Sequence, residues 1–271
     1  MELQILWVAL VTYVLAGSLS IIGFVMQRKP ERAILALLVL AVVLHTTAIA
    51  LRWERMGHGP YITMFEALSS GIWNLLLIYT LVYWRIPAIR ATAAIIMPIL
   101  FLMMGWMMMF TPSEIGHKPQ VYHTIWLYIH IGFAKVFIST VFIAVGISGI
   151  ILSRRTEYGA MRFAHLPNDS RLDDLSFRFM AVAMIFQTLM LITGAIWAQD
   201  AWGRYWDWDP LETWAFITWL FVIFSLHLRH TYKTKPLTGA LLVIGVFIMA
   251  FLVFFGVPFV STDFHQGVGR S

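Results

Sequence analysis

The chain has 271 residues, 60% hydrophobic and only 12% charged, with a formal net charge of +5 and no cysteine. That composition excludes an ordinary soluble domain and places the chain in the polytopic membrane class. The missing thiols exclude disulfides, thiol–disulfide catalysis and attachment of a prosthetic group through the chain's own sulfur. The basic excess lies in short loops between apolar runs, so it reports orientation and makes no case for nucleic-acid binding.

Runs of roughly 20 apolar residues, the length that crosses a hydrocarbon core of about 30 Å, fall near 3–26, 33–51, 66–84, 91–110, 124–152, 178–199, 213–229 and 237–257. They predict an all-α, polytopic integral membrane protein of about eight transmembrane helices, a single membrane domain over 1–271. The first run has no basic leader and no small-residue cleavage site, so it reads as a retained span. Segments 27–32, 85–90, 153–178 and 229–236 hold thirteen of the nineteen Lys and Arg residues, which assigns them to the cytoplasmic side. Both termini, the loops 52–65 and 111–123 and the stretch 200–214 then face outward, with nine of the fourteen acids once Glu66 at the outer end of the third run is included. The connector 153–178, with Pro167, Asn168, Asp169 and Ser170 as a turn signal, reads as solvated. Gly17, Gly23, Gly146 and Gly149 read as close helix contacts within spans.

The stretch from Trp202 to Trp214 carries four tryptophans and three carboxylates between two apolar runs. Asp209, Pro210 and Glu212 fit a helix start, with Asp as N-cap, Pro at the first helical position and Glu reaching back as in a capping box. An interfacial aromatic belt would spread twelve tryptophans over many span ends. Here six of them, Trp197, Trp202, Trp206, Trp208, Trp214 and Trp219, fall within 23 residues. Such broad apolar faces suit a large, flat, hydrophobic ligand better than a small polar one.

The pattern Trp202-Gly203-x-x-Trp206-x-Trp208-Asp209-Pro210-x-Glu212-x-Trp214 resembles the tryptophan-rich "WWD" signature of the heme-handling proteins of cytochrome c biogenesis. The continuation through Trp219 to His227-Leu228-Arg229 resembles the CcsA/ResC-type component of the two-subunit cytochrome c synthase. Gly57-His58-Gly59-Pro60 with Glu66, Trp126-x-x-x-His130, and Phe255-Gly256 with His265 extend the resemblance over most of the chain. It implies a bacterial inner (plasma) membrane protein whose active site faces the periplasm or cell exterior. Its cargo is heme b, taken from the inner side, held at a transmembrane site involving His227 and presented outside at the WWD loop. There the thiols of an apocytochrome c Cys-x-x-Cys-His motif meet the vinyl groups and form thioethers. A ResB/CcsB-like membrane subunit, thiol-reducing pathway proteins and membrane lipid are the implied partners, and the resemblance makes the chain a component of a cytochrome c synthase (heme lyase), with its activity alone left open. Two alternatives stay open: a heme exporter or chaperone without ligation activity, and a membrane electron carrier with a permanent b-type heme.

Heme iron takes axial ligands, for which neutral imidazole is the usual choice. The fifth run of about 29 residues, about 43 Å at 1.5 Å per residue, is longer than a bilayer core, so His130 in its first turns projects to the outer interface. His265 emerges on that same side after the last span, and the two could ligate one iron from opposite faces, the pair that the resemblance also implies. His45 and His227 lie inside spans, where an ionisable group is costly and points to function; the alternative for His45 is a neutral imidazole bonded to a backbone carbonyl. His58, His117, His123, His165 and His230 read as loop or helix-end residues. The cofactor-binding set is therefore His130, His265, His227 and His45 with Trp202, Gly203, Arg204, Trp206, Trp208, Asp209, Glu212 and Trp214, the first three as iron ligands. Arg204 is the first choice to meet the propionates, with Arg52, Arg55, Lys118 and Lys135 as alternatives.

Overall fold

A computed structural model describes residues 1–112 and 124–256. Its helices are α1 (Glu2–Val25), α2 (Glu31–Met56), α3 (Met64–Arg85), α4 (Ala93–Met107), α5 (Ile125–Ser153), α6 (Glu157–Arg162), α7 (Asp169–Trp202), α8 (Pro210–Tyr232) and α9 (Pro236–Phe251). A 3₁₀ turn at Pro87–Thr92 leads into α4, and Leu252–Gly256 winds as a π-helix after α9. No strand occurs among the described residues. Among the described residues, eight segments are long and apolar enough to cross a membrane, as the eight runs predicted. Ser and Thr inside them close their hydroxyls onto their own helix, as Thr12 does on Val8, Thr80 on Leu76 and Ser225 on Phe221, so no hydroxyl is left open to hydrocarbon at those positions.

The described residues form two compact units, one from 1–112 and 152–168 and one from 124–151 and 169–256. In the first, α1 packs along α2 and α4, and α3 lies against both α2 and α4. Gly17 is a close contact as predicted, since a Cβ there would meet the Phe101 ring at 2.4 Å. Gly23 instead abuts Pro30 in the turn after α1, so its small size serves the turn and not a helix pair. In the second unit, α7 packs on α8 and α9, and α8 on α9. Its core joins Phe137, Val141 and Ala144 of α5 to Met180 and Ala183 of α7, Val222 of α8 and Val246 and Ala250 of α9.

The connector predicted as solvated is shorter and more ordered than its polarity suggests. Its last ten residues belong to α7, which starts at Asp169 right after the Pro167-Asn168 turn. Before that, Arg154 donates to the carbonyls of Phe163, Leu166 and Pro167 at 2.6, 3.1 and 2.8 Å and gathers the loop around one guanidinium. Phe163 then buries against Phe24 of α1, ring centroids 5.0 Å apart.

Candidate functional site

In the second unit, α7 ends and α8 begins at the tryptophan stretch. Gly203 takes a left-handed conformation, φ +77°, and its N–H returns to the Gln199 carbonyl, a C-cap that suits glycine. Asp209 is the N-cap of α8 with Pro210 at the first position, and its carboxylate accepts from the Glu212 N–H at 2.9 Å. Glu212 does reach back, but two residues past the cap, accepting from the Asp207 N–H at 2.8 Å. The reason lies between them. Trp208 is left-handed, φ +59°, and this reversal turns the Asp207 N–H toward the helix start. Arg204 pairs with Asp207 at 2.7 Å. The polar side chains of the loop thus hold its backbone, while Trp208, Tyr205 and Trp214 stand 69%, 61% and 47% exposed.

The six tryptophans do not make one platform. Trp197 and Trp202 meet edge to face at 5.5 Å, and Trp197 stacks on the His130 ring at 6.2 Å and 20°. Trp206 packs edge-on against Trp208 and Phe216, and Phe216 stacks on Trp219. Trp219 donates its indole N–H to Thr188 on α7 at 2.8 Å, which ties α8 to α7.

His130, in the second turn of α5, is half-buried, and its Nδ1–H donates to the Met190 carbonyl of α7 at 2.8 Å. That bond puts the proton on Nδ1 and makes Nε2 the nitrogen with a ligating lone pair. Thr124 Oγ1 donates to Asp200 at 2.9 Å and fastens the approach to α5 onto the end of α7. Met190, Gly194 and Thr124 were not among the residues singled out in the sequence. A backbone acceptor leaves no composition signal, and the one available hint was a glycine in mid-span at 194.

His227 is exposed on α8, its Nε2 3.5 Å from Thr231 Oγ1, on the same face as exposed Leu220 and Phe224. It lies thirteen residues beyond Trp214, about 20 Å along the helix. Lys135 is half-buried on α5, five residues after His130. His265, His117, His123 and Lys118 lie outside the described residues.

The remaining candidates belong to the first unit and are occupied there. Arg52 Nε donates to Glu66 at 2.8 Å, Arg52 also meets Glu2 at 3.2 Å, and Arg55 meets Glu2 at 2.8 Å. Both arginines therefore face carboxylates of their own unit. Glu66 also completes a capping box with Thr63 at the start of α3. His58, expected at the surface, is buried, because Gly57 in a left-handed C-cap turns the chain back over α3, and its Nδ1 lies 3.0 Å from the Gly59 carbonyl. His45 is fully buried, with Nε2 3.0 Å from Ser69 Oγ and its ring edge on Tyr13. This is the hydrogen-bonded core imidazole of the alternative reading, with a side-chain hydroxyl in place of the backbone carbonyl.

A model of the family described as cytochrome C assembly protein matches residues 35–265. The cytochrome c biogenesis protein CcsA of Prochlorococcus marinus (strain MIT 9301) is 30% identical over 289 aligned positions, covering 95% of this chain and 92% of the relative. CcsA of Chlamydomonas reinhardtii is 27% identical, covering 80% of this chain and 63% of its own length. Among solved structures, the cytochrome c heme lyase CcmF shares the fold, with a TM-score of 0.74 at 17% identity over 94% of this chain; the chain spans 46% of that longer one. The chain belongs to the cytochrome c assembly protein family, as a CcsA-type multi-pass membrane protein of cytochrome c biogenesis.

Proposed function

We propose that the protein carries heme b as cargo and presents it at the tryptophan loop for attachment to apocytochrome c. The observation that supports this best is the His130 imidazole, held by the Met190 carbonyl with its Nε2 as the ligating nitrogen, beside Trp197 and Trp202. A neutral histidine whose other N–H is donated to a carbonyl is the usual dress of a metal-bound imidazole, oriented and made more basic. The aromatic faces supply contact area for a macrocycle, and Arg204 and Lys135 are the nearby cations for its propionates. His265 completes the axial pair.

The four loops rich in Lys and Arg face the cytoplasm of a bacterial inner membrane, so both termini and the loop lie outside. His227, exposed toward whatever covers that face of α8, is the station within the membrane. The protein's part in the chemistry is to ligate, orient and shield. A cysteine thiol of the acceptor adds across a vinyl C=C: a C–S bond forms, the S–H bond breaks and its hydrogen ends on the neighbouring carbon, so no oxidant is consumed. The thiols come from the acceptor, a thiol-reducing pathway keeps them reduced, and a ResB/CcsB-like subunit is the membrane partner.

The test is the absorption spectrum of the detergent-purified protein expressed with its partner subunit, wild type against His130→Ala and His265→Ala. Reduced-heme bands weakened in both variants, with cytochrome c maturation lost and then rescued by added imidazole, are expected. Unchanged spectra and maturation would remove the pair from the site. Heme retained without thioether formation by the purified pair would leave a carrier and not a synthase.

A further inference from the structure

The His130 ring lies on a single stripe of α7. Met190, Gly194 and Trp197 are spaced i, i+4, i+7, which puts them on one helix face, and each constrains the ring differently. The Met190 carbonyl accepts its Nδ1–H, and Trp197 lies nearly parallel to its plane. At position 194 the constraint is an absence. A Cβ built there would stand 2.8 Å from His130 Nδ1 and 2.9 Å from Cε1, closer than a carbon can approach. The imidazole therefore occupies the space in which any other residue would carry its first side-chain carbon. Glycine is a poor residue for a helix interior, and at this place it admits an imidazole against the backbone.

We propose that Gly194 is a positioning residue for His130. It lets the ring sink onto α7 until Nδ1 reaches the Met190 carbonyl, which fixes the tautomer and leaves Nε2 as the nitrogen offered to iron. Trp197, itself buried, then limits rotation of the ring. A larger residue at 194 lifts the ring off the carbonyl, and the proton is no longer tied to Nδ1. The inference rests on the reading of His130 as an iron ligand, but its packing part can be tested without heme.

The experiment uses the full chain in detergent, as wild type, Gly194→Ala, His130→Ala, the double variant, and Gly105→Ala. The last is a control, because a Cβ at 105 meets nothing within 4 Å. On heme-free protein, the denaturation midpoint should fall in Gly194→Ala and hold or rise in Gly105→Ala, where alanine suits the helix and meets no neighbour. In the His130→Ala background the Gly194 substitution should cost nothing, because the ring it displaces is gone. The double variant also covers a Gly194→Ala protein that does not fold alone, since removal of the ring must then restore folding. With heme and the partner subunit, Gly194→Ala should retain about tenfold less heme, the scale of lost ligand support, and added imidazole should restore it. An equal loss of stability in both backgrounds would overturn the proposal, because Gly194 would then be clearing something other than this ring. Coupling on heme-free protein with unchanged heme bands would keep the packing and overturn iron ligation by His130.

Discussion

The charge cluster at the ends of α1, α2 and α3 in the first unit and the tryptophan loop of the second use their carboxylates differently. In the first, Glu2 of α1, Arg52 and Arg55 of α2 and Glu66 of α3 close on one another, with Glu66 only 1% and Arg52 6% exposed. Carboxylates there meet guanidinium groups, and the product is a fixed arrangement of three helices. In the second unit the carboxylates of Asp209 and Glu212 are turned onto backbone N–H groups, and Asp207 holds Arg204 at the loop's surface. The product is a loop whose aromatic side chains face away from it. Acids and arginines occur at both places, so residue type alone does not mark a site. What separates the two is the larger share: in the cluster both carboxylates meet guanidinium groups, and in the loop two of the three carboxylates meet backbone N–H groups.

The largest expected effect tests the closed cluster. Glu66→Ala leaves Arg52 buried beside a single remaining carboxylate and removes the α3 cap. Loss of one partner from a buried pair costs about 3–5 kcal/mol, measured as a shift in reversible SDS-induced unfolding, while the protein that folds keeps its heme spectrum. A changed spectrum at unchanged stability would place the cluster in the site and dissolve the contrast.

Trp208→Gly addresses the other unit with a smaller effect of opposite sign. A left-handed residue with a Cβ costs about 1–2 kcal/mol, so glycine at 208 should hold or raise the unfolding midpoint. Heme retained per protein should nevertheless fall, because the exposed indole is gone. A stable variant with wild-type heme would show that the strained conformation serves the fold alone. The smallest effect belongs to Tyr13→Phe. The Tyr13 hydroxyl is buried with no hydrogen-bond partner among the described residues, as is Nδ1 of the neighbouring His45. Removing a group whose hydrogen bond is unmade should be neutral or stabilising, by no more than about 1 kcal/mol. A clear loss of stability would mean that the Tyr13 hydroxyl contributes to the first unit although it has no hydrogen-bond partner among the described residues.

Much of this architecture could be read along the chain. A span needs about 20 apolar residues wherever it sits, so eight runs became eight helices. The cap at Asp209 and Pro210 was legible because its donors and acceptors lie within a few residues of each other. The reach of Glu212 to Asp207 was not, since it depends on the left-handed turn at Trp208, a conformation that no sequence pattern demands of tryptophan. The pairing of Arg52 and Arg55 with Glu2 was not legible either, since Glu2 is some fifty residues away. His58 is the loop residue it looked like, but the turn at Gly57 buries it.

The sequence by itself determined the membrane class, the number of spans, the family and the short stretch in which aromatic residues concentrate, because each depends on local composition or on a contiguous pattern. Only the tertiary structure decided that Trp197 and Trp202 gather at His130 while Trp206 and Trp208 gather on α8. It also decided that the His130 proton goes to the Met190 carbonyl and that Gly194 makes room for the ring. The His130 contacts join residues some sixty positions apart through the packing of α5 on α7, and such a contact is set by how helices meet, which no local run of residues encodes.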